Sequence, residues 1–352
     1  MTSKERIKRT FEHKEADKVP IIDEPWAGTI RRWESQGMPK GSDWTEYFGI
    51  DRIARVSVNV SPCYTGKTIE ETDRYVIFTT EWGVTVKQLK EEDATPEFID
   101  FKISNASVWN ETKKLMTINE ERLNLPNLET NYDKWVGRGD WIQALFWFGF
   151  DITHSWAIGT ETMLIAMAME PEWITDMFDT YLESNIKHFD MLWDMGYRFD
   201  SIFWWDDMGY KGSPFFSNTM YKELLQPFHK RAINWAHNKG IYAHLHSCGF
   251  IEPLLPDVVE AGIDALNPIE VKAGMDAIRI KETFGDKIVL HGGIDASRLH
   301  LKDEIIPEIE KLVPILKENG GYIFASDHSI PNIVDLETYK AIIDTVKIVG
   351  SY

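Results

Sequence analysis

The chain is poor in cysteine, short of positive charge and without a long apolar run, and each shortage excludes something. Cys63 and Cys248 are its only cysteines in 352 residues, and they stand far apart in sequence. That is not the raw material of a secreted disulfide framework. Its 38 Lys and Arg are outnumbered by 56 Asp and Glu, for a formal net charge of -18. Such a surface repels nucleic acid and anionic membrane, so neither is expected as a partner. No uninterrupted apolar stretch reaches the length of a membrane span, and the polar start from Met1 to Arg6 has no apolar core of signal-peptide length. A soluble, cytoplasmic protein is the expectation. Linkers rich in Gly, Ser or Pro, low-complexity tracts and tight repeats are also missing.

What is abundant is tryptophan, with 14 residues, several of them close in sequence: Trp141 and Trp147, Trp204 and Trp205. Packing is the ordinary use of large aromatics. A barrel mouth lined with Trp and Phe would also suit a flat apolar or aromatic substrate.

Residues 3–14 read as a helix, with Ser3 as N-cap and Ile7 and Phe11 on one face. Residues 18–22 read as a first strand, ending at Asp23, Glu24, Pro25 and Trp26. Residues 54–105 change character: Val56, Val58, Val60 and the stretches 75–80 and 84–89 are β-branched and alternating, with a turn at Glu81, Trp82 and Gly83. This predicts a β-hairpin or small sheet inserted early in the fold. From about residue 141, short apolar runs at 201–205, 242–245, 264–268, 287–291 and 322–325 alternate with helical stretches. Strand-then-helix repetition favours a parallel sheet. For this length the expected fold is α/β, a single (β/α)8 TIM barrel over 1–352 with the early insertion.

In such a barrel the chemistry collects where strands end. The polar strand exits are Asp23 and Glu24; Asp206 and Asp207; His246 and Cys248; Asn267 and Glu270; His291 and Asp295; Asp327 and His328. His246 and Cys248, two apart after a strand, point to the same side and are good ligands for zinc. A catalytic zinc needs a third ligand, and His328 at the last strand exit is the candidate. The alternative is that His246 caps a helix and Cys248 is a small buried hydrophobe. His244 is expected in the barrel wall or behind the ligands. Neighbours on an extended exit point oppositely, so one of Asp206 and Asp207 should face the cavity, with Asp207 favoured as an acid. Asp23 and Glu24 pose the same choice. His291, followed by Gly292 and Gly293, brings backbone close to whatever occupies the mouth. His154, His188, His229, His237 and His300 read as ordinary surface or helix residues.

These residues together resemble the uroporphyrinogen decarboxylase superfamily. The resemblance runs over nearly the whole chain. It rests on Arg6 and Ile7 through Asp17, Lys18, Val19 and Pro20; Phe48 to Asp51; Asp206 to Gly209; Pro214 to Ser217; His246 to Gly249; Gly262 to Asn267; Gly292 to Asp295; Gly320 to Phe324; and Ile330 with Pro331. It implies a (β/α)8 barrel. Decarboxylases of the superfamily carry an Arg-Gln-Ala-Gly-Arg-Tyr motif after the first strand, whose arginines clamp substrate carboxylates. Here that stretch runs from Asp23 to Trp33 and lacks the motif. The other branch holds zinc-dependent methyltransferases that feed corrinoid proteins or coenzyme thiols, and it is similar at His246, Cys248 and Gly249. Its zinc set ends in a second cysteine near the last strand, where this chain has His328. A His2Cys site is suited to Lewis-acid activation of an oxygen.

The resemblance therefore implies removal of a methyl group from a methoxylated substrate to a corrinoid on a separate partner protein. Asp207 or Glu24 would assist as acids. Trp26, Trp205, Asp206, Asn267 and His291 would hold the substrate. A cofactor-free decarboxylase and a non-catalytic barrel that binds a small molecule or corrinoid are the alternatives.

Overall fold

Ala243 and Leu245 are fully buried on one side of a five-residue strand, while His244 and His246 lie on the other. Side chains alternate across a strand, so one face meets the helices and the other meets the barrel interior. The computed structural model describes residues 1–90 and 95–352, and repeats this arrangement around a closed ring. In chain order its strands are β1 (Ile53–Ser57), β2 (Lys67–Glu71), β3 (Tyr75–Thr79), β4 (Val84–Leu89), β5 (Glu97–Phe101), β6 (Trp141–Phe146) and β7 (Ser201–Trp205). There follow the two-residue β8 (Gly209–Tyr210) and β9 (Ser213–Pro214), then β10 (Tyr242–His246), β11 (Ala265–Ile269), β12 (Val289–Gly292) and β13 (Tyr322–Ile323).

Seven strands form one sheet in the order β1-β6-β7-β10-β11-β12-β13, and its pairings are parallel. The segment 20–22 closes the ring as its eighth stave. Ile22 N–H donates to Phe324 O at 3.0 Å, Phe324 N–H to Pro20 O at 2.9 Å, and Asp51 N–H to Ile21 O at 3.0 Å. Helices such as Pro171–Asp194, Gln226–Asn238 and Leu336–Val349 cover the outside. The fold is the expected α/β barrel. No helix among the described residues is long and apolar enough to cross a membrane.

The inserted sheet is antiparallel, four-stranded and ordered β2-β3-β4-β5. Ile53–Ser57, which in sequence reads largely as the start of this insertion, instead pairs with β6 inside the barrel. Residues 91–94 of the expected span lie outside the described residues.

The first helix, Ser3–Phe11, shows what shuts the other end of the barrel. Its cap is Thr2 rather than Ser3: Thr2 Oγ1 accepts from Glu5 N–H, and the Glu5 carboxylate accepts from Thr2 N–H. This reciprocal pair satisfies two otherwise orphaned donors. Ile7 and Phe11 then pack against Trp141, Ala265 and Val289, the first residues of β6, β11 and β12. Phe11 stacks on Trp141 with centroids 5.3 Å apart. The amino ends of the strands are thus plugged, and the cavity lies at their carboxyl ends.

Candidate metal centre and active site

Register sets the surroundings of His246. It stands opposite Trp205 of β7 on one side and Asn267 of β11 on the other. Asn267 Nδ2 donates to His291 O at 3.4 Å, which turns Asn267 Oδ1 toward His246. His246 Nδ1–H donates to that oxygen at 2.6 Å. A neutral imidazole has one N–H, so Nε2 is left bare, the arrangement found behind metal-binding histidines.

The bare Nε2 lies 3.3 Å from Cys248 Sγ and 3.6 Å from Asp207 Oδ1. One ligand atom from each of Asp207, His246 and Cys248 falls within 4.8 Å of the others. Ligands held tetrahedrally at zinc bond lengths stand about 3.3–3.6 Å apart, and the two distances from His246 Nε2 match that spacing. Asp207 is fixed by the Cys248 N–H, which donates to its Oδ1 at 2.8 Å. Burial pushes the Cys248 thiol well above its usual range, and the charges of Asp207 and Glu270 push it further. A cation bound among these groups would relieve their crowding of negative charge.

These side chains share a cavity of 240 Å³ at the carboxyl ends of the strands. Trp205 forms part of its wall and is backed by Trp147, with centroids 4.8 Å apart. Glu24 also lines it and is ion-paired with Arg55. Deeper in the barrel, His291 Nε2 lies 3.1 Å from Ile22 O, His291 Nδ1 lies 3.4 Å from His244 Nε2, and His244 Nδ1 lies 3.5 Å from Gln143 Nε2. Burial lowers His291 to about 4 and holds His244 well below its usual value, so both rings are neutral. Asp23 and Asp327 are raised to about 6, again chiefly by burial.

Of the residues singled out in the sequence, His246, Cys248, Asp207, Glu24, Trp205, Asn267, His291 and His328 all line this one cavity. Asp207 stands among the potential ligands. His328 is on the wall, outside the set of three, with its ring 6.1 Å from that of Trp26. Trp26 is not among the residues that line the cavity.

Asp206 is a correction. It is fully buried and turned away from the cavity, with Oδ2 taking His229 Nε2–H at 2.6 Å and Oδ1 taking Asp151 N–H at 2.9 Å. Its contacts tie the strand exit to His229 and Asp151, and it is not among the residues that line the cavity. His229, which in sequence reads as a surface or helix residue, is its buried partner, and His188 is buried as well. Sequence reasoning misses two residues of the cavity wall. Arg55 and Gln143 face each other across β1 and β6 in the cavity wall. A lone glutamine inside the apolar run Trp141–Phe146 is the available signal. Outside the cavity lining, Asp151 is raised to about 8 by burial and then by the charge of Asp207.

Comparison with known proteins agrees with this architecture. Residues 153–349 match the family model described as uroporphyrinogen decarboxylase (URO-D). A uroporphyrinogen decarboxylase of Vesicomyosocius okutanii subsp. Calyptogena okutanii (strain HA) is 30% identical over 73 residues. That alignment spans 20% of this chain and 21% of the relative, about a fifth of its length. A solved methyltransferase from Methanosarcina mazei superimposes with a TM-score of 0.66 over 98% of both chains, at 17% identity, a likeness of fold. The matched model covers more than half of the sequence, and the chain belongs to the uroporphyrinogen decarboxylase family.

Proposed function

We propose that this protein is a zinc-dependent methyltransferase that takes a methyl group from a small methoxylated substrate and delivers it to a corrinoid carried by a separate protein, in the cytoplasm. The observation that carries this reading is the convergence of the bare His246 Nε2, Cys248 Sγ and an Asp207 oxygen at one point of the barrel mouth. Bound there, zinc would supply Lewis acidity toward an ether oxygen. Asn267 fixes the tautomer of His246, and the Cys248 N–H orients Asp207. Trp205, braced by Trp147, offers a flat apolar wall for a ring. His328 is the wall residue best placed in sequence to complete the ligand set. The plugged amino end leaves the carboxyl end as the side from which a corrinoid protein would approach.

A decarboxylase acting on a polycarboxylate is the weaker reading. The cavity is lined by Asp23, Glu24, Asp207 and Asp327, against Arg55 as the single Lys or Arg among the described residues of its wall, itself paired with Glu24. An acidic pocket repels such a substrate. The test is methyl transfer from 2-methoxyphenol to a reduced corrinoid protein, followed by methylcorrinoid absorbance. Methylcorrinoid formed by the wild type and not by Cys248→Ala is expected. Its absence from both, with carbon dioxide released from a porphyrinogen, would move the assignment to the decarboxylase.

A further inference from the structure

The exits of β7 and β10 stay together past the point where the strands end. Strand pairing finishes with His246 opposite Trp205, and backbone donors from both exits continue it. Asp206 N–H donates to His246 O at 2.7 Å, Met208 N–H to Ser247 Oγ at 3.0 Å, Gly209 N–H to Cys248 O at 3.2 Å and Phe250 N–H to Tyr210 O at 2.9 Å. Ser247 is fully buried in this seam, and its own N–H donates to Asn267 O of β11 at 2.7 Å.

Gly209 lets the two exits lie this close. Its φ is outside the left-handed region, so space and not backbone conformation calls for glycine. A Cβ there would fall 2.5 Å from Cys248 O, 2.5 Å from Gly249 C and 2.7 Å from Gly249 Cα. Carbon atoms in ordinary contact stand about 3.5–4.0 Å apart. All three neighbours are backbone atoms, so no side-chain rotation relieves the overlap, and one exit has to move away from the other.

The seam carries the candidate ligands. Asp207 comes from the β7 exit, His246 and Cys248 from the β10 exit, and the Cys248 N–H reaches across to Asp207 Oδ1 at 2.8 Å. A carboxylate and a thiolate repel each other until a cation joins them, so the seam has to hold them together beforehand. A site assembled in advance also loses less on binding. We infer that Gly209 is a positioning residue of the metal centre: its missing side chain lets the β7 exit seat on the β10 exit, and that seating holds Asp207 Oδ1 3.6 Å from His246 Nε2. The inference rests on the metal reading of Asp207, His246 and Cys248 and is independent of the methyl donor.

The experiment is titration of the purified, metal-free protein with cobalt(II), which takes the donors that zinc takes and shows thiolate ligation by its absorption band. Wild type, Gly209→Ala, Asp207→Ala and the double variant are compared, each checked for fold by circular dichroism. Gly209→Ala should bind cobalt at least about tenfold more weakly than wild type, the usual cost of losing the support behind a ligand. In the Asp207→Ala background the same substitution should change affinity by less than about twofold, because the ligand it positions is already gone. A merely structural role would weaken both backgrounds alike. Should Gly209→Ala not fold, Ser247→Ala, which withdraws the acceptor of Met208 N–H without adding bulk, takes its place in the same cycle with the same direction expected. Wild-type affinity in the seam variant, or equal losses in both backgrounds, would overturn the inference and leave the metal site standing. A wild type that develops no cobalt–thiolate band would overturn the metal reading, and the inference with it.

Discussion

His246 is set by what lies behind it. Asn267 Oδ1 holds the ring through Nδ1 and presents Nε2 to Cys248 and Asp207. Removing that hold frees the tautomer and the ring orientation. Asn267→Leu should therefore weaken zinc binding by about 10–100-fold while His246 itself remains. Competition with a chromophoric chelator measures this, and unchanged affinity would remove Asn267 from the site. Asp23 makes a separate prediction. It is buried, accepts from Ser326 Oγ and Tyr339 OH, and is raised from the usual 3.8 to about 6 because burial outweighs these donors. A raised acid binds its extra proton in the folded state, so its stabilisation is complete below about pH 4 and lost as pH rises through 6. Asp23→Asn should gain on the wild type by up to about 3 kcal/mol between pH 4 and pH 7, the worth of some two pH units. Denaturant unfolding at both pH values checks it, and a gap that does not move would show that Asp23 is ionised throughout.

At the level of elements, the first helix is tied to the closing stave by charge. Arg6 donates to Asp51 at 2.5 Å and to Asp17 at 2.7 Å, and Asp51 Oδ2 takes Ile21 N–H at 2.9 Å. Arg6→Met would strand the buried Asp51 carboxylate. The expected loss is about 3–5 kcal/mol in urea unfolding. A loss below about 1 kcal/mol would mean that the pair does not hold the ring closed. His229→Leu should cost about as much, since it strands Asp206 in the same way. These two networks also show where sequence reading stops. The strand exits are legible because a parallel sheet buries its short apolar runs, and polar residues directly after them mark where the chain leaves the core. Asp206 and Asp207 look alike in sequence, and only the backbone at the exit decides that one faces the cavity and the other His229. β1 reads as part of the insertion because its half-buried alternation is the same for a barrel stave as for a hairpin strand. Arg55 is lost with it. Gln143 differs: its strand is buried at every position, so its polarity stands out but its partners do not.

Across the whole molecule, the eight-stave ring, the plug at one end and the acidic, aromatic cavity at the other account for each other. The plug supplies a second apolar core, which leaves the upper interior free to carry polar side chains that a packed barrel would reject. His244, His246, Asn267 and His291 are there because strand alternation sends them inward. They remain neutral or paired because the chain supplies partners from neighbouring staves. Family membership and barrel are readable from motifs spread along the sequence, whereas the ligand geometry depends on register between β7, β10 and β11. Whether this geometry holds a metal ion is read most directly from zinc content, by mass spectrometry of the purified protein beside Cys248→Ala, His246→Ala and Asp207→Ala, each checked for fold by circular dichroism. About one zinc per chain is expected in the wild type and little or none in the three folded variants. A wild type that takes up no zinc on reconstitution, or variants that keep it, would show that Asp207, His246 and Cys248 do not form a metal site.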